Sequence, residues 1–390
     1  MSTANGTRDA AARDAAAARH PVLITGGAGF VGANLADRLL SAGRRVVVLD
    51  NLSRAGVEQN LVWLRSRHGD LLDVMVEDVR DARAVGVAVA GVGQVFHFAA
   101  QVAVTTSLTD PREDFTVNAQ GTLNVLEAVR ACRTPPGVVF TSTNKVYGAL
   151  DDVPLVRDGR RWVPAVAELR ERGIAESRRL DFHSPYGCSK GAADQYVLDY
   201  ARSYGVPAVV FRMSCIYGPH QFGTEDQGWV AHFLIKAVEG QPVTLYGDGM
   251  QQRDILFVED LVDAFLLAER DVRRLAGYAF NIGGGPRNAI SLLELLDLIG
   301  AMHGDRPDTT FEAWRTGDQR YYVSDTRRFH GATGWLPRVP VAVGVEKLYR
   351  WLLASRGLPA RSETARVESA APLAAAGGPA RPFDAGLEAR

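Results

Sequence analysis

The chain alternates between short apolar runs and stretches in which apolar residues recur at helical spacing. A continuous apolar run of about four to six residues is typical of a strand buried on both faces, whereas helical spacing predicts an amphipathic helix. Predicted strands lie at 22–25, 45–49, 73–76, 94–98, 138–141 and 208–212, and predicted helices at 33–40, 116–130, 186–200, 261–269 and 291–302. This alternation predicts an α/β fold built on a doubly wound parallel sheet.

A second, smaller lobe is predicted from residue 213 onward, because the pattern there becomes rich in turns. The predicted division is a disordered tail at 1–19, a sheet lobe at 20–212 with returns near 255–282, an interleaved C-terminal lobe at 213–254 and 283–356, and a disordered tail at 357–390. The two tails are rich in Ala and Arg and offer little apolar surface to bury. Residues 149–183 are polar and aperiodic, so they predict a long loop.

A glycine-rich turn joins the first predicted strand to the first predicted helix. Gly27, Gly29 and Gly32 fit G-x-G-x-x-G, and Gly26, Gly29 and Gly32 fit G-x-x-G-x-x-G. Glycines allow a tight turn and a close approach of the backbone to a pyrophosphate, whose charge then lies at the helix N-terminus. The turn therefore predicts a Rossmann lobe that binds a dinucleotide. A glycine loop that serves only as a turn is the alternative, and the flanking strand and helix weigh against it.

Asp50 follows the second predicted strand. Dinucleotide-binding lobes place an acidic residue about 20 residues beyond the last glycine, where it accepts the adenosine ribose hydroxyls. A carboxylate would repel the 2′-phosphate of NADP, so we expect NAD. Arg54 lies close enough along the chain to keep NADP open as an alternative.

Tyr186 and Lys190 are four residues apart at the start of a predicted helix, so they lie on one face. An ammonium near a phenol favours the phenolate and lowers its pKa, which would suit Tyr186 to general acid–base chemistry. A partly buried tyrosine with a surface lysine is the alternative. Ser142 and Thr143 follow a predicted strand, at the edge of the sheet where open α/β folds bind ligands, although a plain turn uses the same residue types.

Composition and charge narrow the function class. Hydrophobic residues make up 46% and charged residues 23% of the chain, and the net charge is −1, which leaves no electrostatic footprint for nucleic acid or an acidic membrane. We find no apolar run of membrane-spanning length and no signal peptide. The three cysteines are scattered and lack metal-ligand spacing, so we expect no metal centre, no disulfide framework and a cytoplasmic protein.

The glycine loop, Asp50, the hydroxyl-rich segment and Tyr-x-x-x-Lys occur in the order found in the extended short-chain dehydrogenase/reductase family, the NAD-dependent epimerases and dehydratases of nucleotide sugars. The chain resembles this family from about residue 21 to residue 353. The resemblance implies a catalytic triad of Thr143, Tyr186 and Lys190, with adenine contacts from Asp78 and Val79. The full predicted cofactor set is Gly26, Gly29, Phe30, Val31, Gly32, Asp50, Asn51, Asp78, Val79, Ala99, Ala100, Gln101, Asn118, Tyr186 and Lys190.

Three longer strings, at 142–148, 180–196 and 226–230, resemble members of the family that epimerise CDP-paratose and CDP-tyvelose. They imply epimerisation at sugar C2 through a transient ketone, with NAD as cofactor and a nucleotide diphosphate sugar, favoured to be a CDP-sugar, as substrate. The resemblance also implies a homodimer through helices at about 116–131 and 186–203. The predicted substrate set is Thr143, Asn144, Ser214, Cys215, Arg253, Asp318 and Arg320.

Other functions stay open at this point. Another family reaction on a nucleotide sugar is the first alternative: 4-epimerase, 4,6-dehydratase or dehydrogenase. Asn144 and Lys145 stand where dehydratases of the family usually carry an Asp-Glu pair, which counts against dehydration, and we expect Lys145 to be a solvated turn residue. A non-catalytic NAD-binding regulator is the alternative of another class, but such proteins typically lose the Tyr or the Lys. Inside its apolar strand, His97 is predicted to be a core histidine.

Overall fold

The computed structural model describes residues 20–315 and 317–359. The predicted tail at 1–19, and the predicted tail at 357–390 from residue 360 onward, lie outside the described residues.

A seven-stranded parallel sheet forms the centre of the molecule. The apolar runs predicted six of its strands, and the seventh, Ala279–Ile282, was not predicted as a strand. Its strand order is β3-β2-β1-β4-β5-β8-β12. The strands are β1 (Val22–Thr25), β2 (Val46–Leu49), β3 (Leu72–Met75), β4 (Gln94–His97), β5 (Gly137–Thr143), β8 (Ala208–Met213) and β12 (Ala279–Ile282). All six neighbouring pairs run parallel, so the carboxyl ends of all seven strands meet at one edge.

Helices cover both faces of this sheet, which explains why its strands are apolar throughout. On one face lie α1 (Phe30–Ser41), α2 (Val57–His68), α10 (Val258–Arg270) and α13 (Arg327–Thr333). On the other face lie α3 (Ala82–Val89), α6 (Gly121–Ala131) and α8 (Ser184–Tyr204). The short helices are α4 (Val104–Thr109), α5 (Pro111–Phe115), α7 (Ala167–Arg172) and α11 (Val272–Leu275).

The smaller sheets carry a separate hydrophobic core. Strand β11 (Gln252–Phe257) pairs with β9 (Cys215–Tyr217), β13 (Ala289–Ser291) and β15 (Tyr321–Tyr322), and β10 (Val243–Tyr246) pairs with β14 (Thr309–Glu312). Helices α9 (Trp229–Val238), α12 (Leu292–His303) and α14 (Val341–Ser355) pack against them. Helix α12 begins with a capping box, in which the Ser291 hydroxyl accepts from the Glu294 amide and the Glu294 carboxylate accepts from the Ser291 amide.

The structure corrects two predictions. The segment 149–183, predicted as a loop, contains a hairpin of β6 (Leu155–Asp158) and β7 (Arg161–Pro164) followed by α7. Its strands are too short and too polar to show a period, and the hairpin is held instead by contacts with distant residues, such as the indole of Trp162 donating to Asp248. The helix predicted at 116–130 starts with a π-helical turn, Thr116–Gln120, before α6.

Candidate active site

A cavity of about 440 Å³ opens at the carboxyl edge of the large sheet. Its wall contains most of the residues predicted to hold the cofactor: Gly26, Gly29, Phe30, Val31, Gly32, Asp50, Asn51, Val79, Ala99, Ala100, Gln101, Tyr186 and Lys190. Met213, Thr141 and Ser142 also line the cavity. The Ser142 hydroxyl is buried and has no hydrogen-bond partner among the described residues. An unpartnered hydroxyl in a cavity wall is available to a ligand.

The glycine loop packs so tightly that side chains are excluded. A Cβ on Gly32 would lie 2.4 Å from the carbonyl oxygen of Gly26, and one on Gly26, at φ +69°, would lie 2.7 Å from the amide nitrogen of Ala99. Helix α1 then starts with Gly29 as its N-cap, without a side-chain cap and without an acidic residue in its first turn. The first amides of α1 therefore stay available for an anion, as a pyrophosphate requires.

Asp50 braces the glycine loop from the end of β2. Its carboxylate accepts from the backbone amides of Ala28 at 3.0 Å and Leu52 at 2.9 Å. Burial raises the pKa of Asp50, and these bonds, together with the nearby charge of Arg54, act in the opposite direction. The carboxylate thus shapes the loop and faces the cavity at the same time.

Arg54 crosses the cavity mouth, a contact that sequence reasoning did not foresee. Its guanidinium donates to the side-chain oxygen of Gln227, which joins the segment after β2 to the segment before α9. Thr224 and Asp226 line the cavity beside Gln227. The only sequence signal was the unusual string at 226–230, which had no assigned contact.

The two remaining predicted cofactor residues, Asp78 and Asn118, contact the cavity wall from outside it. Asp78 accepts from the Asn51 amide at 2.8 Å and pairs with Arg80, which lowers the pKa of Asp78 to about 2. Asn118 lies outside the cavity wall and braces it, since its side chain accepts from the Gln101 amide at 2.9 Å and donates to the Gln101 carbonyl at 3.1 Å. These residues position wall segments rather than forming one cluster with Tyr186.

The structure brings Tyr186 and Thr143 together. Helix α8 begins at Ser184 with Pro185 in its first turn, where a proline costs no hydrogen bond, and this places Tyr186 at the end of β5. Burial, helped by the charge of Asp114, raises the pKa of Tyr186 to about 12, although a hydrogen bond with Thr143 and the charge of Arg54 act to lower it. This pair can hold and move a proton at one substrate oxygen.

Lys190 contacts two residues of β5. The Lys190 ammonium donates to the carbonyl oxygen of Thr141 at 2.6 Å and lies 4.3 Å from the centre of the Phe140 ring. Lys190 also lines the cavity together with Tyr186, so its effect on the pKa of Tyr186 stays a prediction. Burial lowers the pKa of Lys190 itself to about 7, while Asp194 and Asp114 raise it.

A buried polar network behind the tyrosine was missed by sequence reasoning. Asp114 is fully buried and accepts from the hydroxyl of Ser189, the residue that precedes Lys190. The amide of Asn118 donates to both Asp114, at 3.2 Å, and Ser189, at 3.0 Å. No local pattern marks Asp114, because its partner lies on a helix that is distant along the chain.

His97 is a core histidine, as its strand position predicted. One ring nitrogen lies 2.6 Å from the hydroxyl of Thr25 and the other lies 3.0 Å from the hydroxyl of Thr122. Burial lowers the pKa of His97 to about 3, with a smaller contribution from Lys190. His97 is therefore neutral, and its two hydrogen bonds connect strand β4 to β1 and to helix α6.

On the other side of Thr143, three residues predicted separately form one charge cluster. Arg253 on β11 donates to Asp318 at 2.8 Å, and the Lys145 ammonium donates to the Gly317 carbonyl at 2.9 Å and lies 3.8 Å from Asp318. The prediction that Lys145 is a solvated turn residue is wrong, because only 22% of its side chain is exposed. Its position two residues after Thr143 was the available signal.

The other predicted substrate residues divide between this cluster and other contacts. Cys215 lies near the cluster: burial raises the pKa of its thiol, and the charges of Arg253 and Lys145 act in the opposite direction. Asn144 is buried next to Thr143 and accepts from its hydroxyl at 3.4 Å. Ser214 donates to the buried carboxylate of Asp254, and Arg320 is exposed and stacks on Trp314, so neither side chain joins the cluster.

Two other site types are absent within 20–315 and 317–359. None of the helices there is long and apolar enough to cross a membrane. No group of three or more His, Cys, Asp or Glu residues in the same ranges is placed to hold a metal ion.

Comparison with known proteins gives consistent matches over most of the chain. A model of the NAD dependent epimerase/dehydratase family matches residues 22–283. CDP-paratose 2-epimerase of Salmonella typhi is 44% identical over 337 residues, which cover 85% of this chain and 98% of that protein. UDP-glucose 4-epimerase of Mycolicibacterium smegmatis is 33% identical over 326 residues, which cover 83% of this chain and 96% of that protein.

Solved structures share the fold as well. The complex of Thermus thermophilus UDP-glucose 4-epimerase with NAD matches with a TM-score of 0.70 and 32% identity, covering 85% of this chain and 98% of that chain. The parallel sheet and its flanking helices are therefore those of known NAD-binding relatives.

Proposed function

Because this chain belongs to the NAD-dependent epimerase/dehydratase family, we propose that it epimerises a nucleotide diphosphate sugar at C2. The proposed substrate is a CDP-linked sugar of the CDP-paratose and CDP-tyvelose type, or a related nucleotide hexose. The observation that carries the choice of C2 is the 44% identity to CDP-paratose 2-epimerase along 98% of that protein. The buried pairing of Tyr186 with Thr143 supports the oxidation step.

The chemistry of C2 explains why a ketone is needed. C1 of a nucleotide sugar is an acetal carbon rather than a carbonyl, so the hydrogen on C2 is not acidic. Removing a hydride from C2 and returning it to the opposite face of the sugar inverts the centre without a carbanion. NAD, when bound, accepts this hydride and gives it back, so it is regenerated in each turnover.

The chain's own residues handle the proton and the geometry. Tyr186 takes the proton of the C2 hydroxyl and returns it after the sugar has turned, while Thr143 hydrogen-bonds to the same oxygen and holds it in line. For this step the pKa of Tyr186 must fall from about 12, and the Thr143 hydrogen bond and the Arg54 charge both act in that direction. We propose that Lys190, one helical turn after Tyr186 in the same cavity wall, binds the nicotinamide ribose.

The cavity residues provide the corresponding binding functions. We propose that the uncapped start of α1 holds the cofactor pyrophosphate, that Asp50 accepts from the adenosine ribose, and that Asp78 and Val79 flank the adenine. Arg253, Asp318 and Arg320 are proposed for the nucleotide of the substrate, with Asn144, Ser214 and Cys215 nearer the sugar. The division into a cofactor lobe and a substrate lobe, with the predicted boundaries, remains part of this proposal.

A labelling experiment tests the mechanism. Deuterium placed at C2 of the CDP-sugar should remain at C2 of the epimerised product, and a reaction run in D₂O should put no deuterium on carbon, because the hydride stays within one site. NMR reads both the label and the inverted centre. Solvent deuterium at C2 would show proton abstraction and would remove the roles given to Tyr186 and Thr143.

A 4-epimerase is the second candidate function, and the relatives that act on UDP-glucose favour it. UDP-glucose 4-epimerases match this chain at 33% and 32% identity. Oxidation at C4 would also leave C2 free of solvent label, but the inverted centre would be C4. The NMR coupling constants of the product distinguish the two reactions.

Assembly and location are further parts of the proposal. We propose a cytoplasmic homodimer joined through helices 116–131 and 186–203 as a four-helix bundle. Exposed aromatic residues on or beside these helices support a covered surface: Phe115 is 56% exposed, Tyr196 47% and Tyr204 53%. Light scattering should give twice the monomer mass, and substitution of Phe115 and Tyr196 by Ser should shift the protein toward the monomer. A monomeric parent protein would contradict the dimer.

A further inference from the structure

Three side chains from three distant segments form a compact charge cluster beside Thr143. Lys145 follows β5, Arg253 lies on β11, and Asp318 lies in the segment before β15. The Arg253 guanidinium donates to Asp318 at 2.8 Å, and the Lys145 ammonium lies 3.8 Å from the same carboxylate oxygen. The exposed fraction of the side chain is 8% for Arg253, 22% for Lys145 and 23% for Asp318, so the cluster is largely shielded from water.

The cluster has more positive charge than its own carboxylate can balance. Two cations share the single carboxylate of Asp318. Their other hydrogen bonds, from Lys145 to Gly317 and from Arg253 to Gln252 and Gln319, go to neutral carbonyls. Burial lowers the pKa of Lys145, and Arg253 lowers it further, while Asp318 raises it. An additional anion at this position would be attracted by both cations and would keep Lys145 charged.

Lys145 is joined directly to the hydroxyl that we assign to the reacting oxygen. Its backbone amide donates to the Thr143 hydroxyl at 3.2 Å. The ammonium therefore belongs to the same short turn as Thr143 and extends from it toward Arg253. A substrate held by Thr143 would therefore have the Lys145 ammonium close by.

The position of the diphosphate on the sugar explains why a cation next to Thr143 would be useful. C1 carries the diphosphate, and C2 is bonded to C1, so the phosphate next to the sugar is only three bonds from a C2 held at Thr143. C4 lies across the ring from C1, so a sugar oxidised at C4 directs its diphosphate away from Thr143. A cation attached to the Thr143 turn suits a reaction at C2.

We propose that Lys145, together with Arg253, binds the substrate diphosphate and that Lys145 contacts the phosphate attached to C1. The Asp318 carboxylate occupies this position until the diphosphate displaces it, which frees Asp318 for the nucleotide contact proposed above. The inference rests on the proposed function, which assigns the C2 oxygen to Thr143. It adds a residue that the family resemblance left without a role, and it explains how one site can hold C2 and the diphosphate together.

Binding of phosphate-bearing fragments tests this without requiring turnover. We would measure CDP, CMP and inorganic pyrophosphate by isothermal titration calorimetry on the NAD-loaded protein, comparing the parent with Lys145→Met and Lys145→Arg. Loss of one buried charge contact should weaken CDP and pyrophosphate about 10- to 100-fold. CMP lacks the phosphate next to the sugar, so its affinity should change less than about threefold. Lys145→Arg should retain most of the affinity for CDP.

Lys347→Met is the matched control. Lys347 also pairs with one carboxylate, Glu259, at 2.8 Å, but on helices α14 and α10. It should leave all three affinities unchanged.

Asp318→Asn should change the affinity for pyrophosphate in the direction opposite to Lys145→Met. A merely structural ion pair would not give this opposite change. If Asp318 occupies the phosphate position, neutralising it should tighten pyrophosphate binding several-fold, because repulsion between like charges is removed. If the cluster only holds the segment before β15 in place, Asp318→Asn should weaken pyrophosphate binding or leave it unchanged, and the proposal would be wrong.

Three results would overturn the inference: failure of the parent protein to bind CDP and pyrophosphate, equal loss of CDP and CMP affinity in Lys145→Met, or no loss of either. A finding that CDP depends on Lys145 while the reaction inverts C4 would refute the proposed function and leave the phosphate contact standing. If the protein epimerises C2 but Lys145→Met leaves CDP binding unchanged, the phosphate contact is refuted and the proposed function stands.

Discussion

The cofactor side and the substrate side of this site are constructed in different ways. The cofactor side consists of short contiguous segments at the ends of parallel strands, and an open cavity lies between them. The substrate side consists of single residues from distant segments that pair with one another: Lys145, Arg253 and Asp318. The first arrangement is held by backbone geometry and the second by charge.

This difference has consequences for mutation. On the cofactor side, glycine contacts and strand ends position the chemistry, so a change of one functional group should alter the reaction while the fold stays intact. On the substrate side, a change of one charge also removes a tertiary contact. The fold should therefore lose stability as well, because removal of one partner of a buried ion pair leaves the other charge uncompensated.

The strongest test removes the proton carrier on the cofactor side. Tyr186→Phe should keep the fold and bound NAD but lose turnover by about 10²–10⁴, the usual effect of removing a general acid–base. Turnover is measured by NMR, and bound NAD by its absorbance after the protein is denatured. CDP binding should be unchanged, which would separate the two sides. Activity near that of the parent would exclude Tyr186 from the mechanism.

The largest effect on stability should come from breaking the buried ion pair between helix α8 and strand β8 of the large sheet. Arg212 forms two bonds of 2.9 Å to the fully buried Asp194 and donates to the Tyr147 hydroxyl at 3.2 Å. Arg212→Met should cost about 3–5 kcal/mol in the free energy of unfolding, because Asp194 is left as a buried unpaired charge. Urea denaturation measures this cost.

The double variant Asp194→Leu with Arg212→Met is the control for that experiment. It should recover most of the stability, since both charges are gone. If the single and double variants were equally unstable, the loss would come from packing rather than from charge.

Acid should destabilise the sheet core through His97. The pKa of His97 is lowered to about 3 in the folded protein, against about 6.5 when unfolded, so protonation favours the unfolded state. The stabilisation is complete above pH 6.5 and falls as the pH drops toward 3, by about 2 kcal/mol at pH 5. Denaturation curves at pH 7.5 and 5 should show this slope.

His97→Asn isolates that contribution, and it should flatten the slope between pH 7.5 and 5. His220, whose pKa burial lowers to about 4, contributes in the same direction from the contact between α2 and α14, where its ring stacks on Trp63 and tilts against Trp351. An unchanged slope in His97→Asn would place the titrating group elsewhere.

The smallest expected effect concerns the helix cap of the smaller lobe. Ser291→Ala removes the hydroxyl that accepts from the Glu294 amide at 3.2 Å and should lower stability by about 1 kcal/mol. Activity and CDP binding should be unchanged, because the cap lies away from the charge cluster. Ser291→Asp should retain most of the stability, whereas a loss equal to that of Ala would argue against capping.

The amino-acid sequence determined the features that depend on neighbours along the chain. The apolar runs predicted six of the seven strands of the large sheet, and the glycine spacing predicted the turn before α1. The four-residue spacing placed Tyr186 and Lys190 on one helical face. Each of these follows from local backbone geometry, in which periodicity and conformational freedom are properties of consecutive residues.

Only the tertiary structure decided which distant side chains meet. Lys145 is indistinguishable in sequence from a solvated lysine in a turn, and it is buried because Gly317 and Asp318 are folded against it. Asp114 likewise has a raised pKa only because the fold buries it, while the hydrogen bond from Ser189 on α8 acts to lower that pKa. Burial and charge pairing depend on residues far apart in the chain, and no local pattern encodes the distance between them.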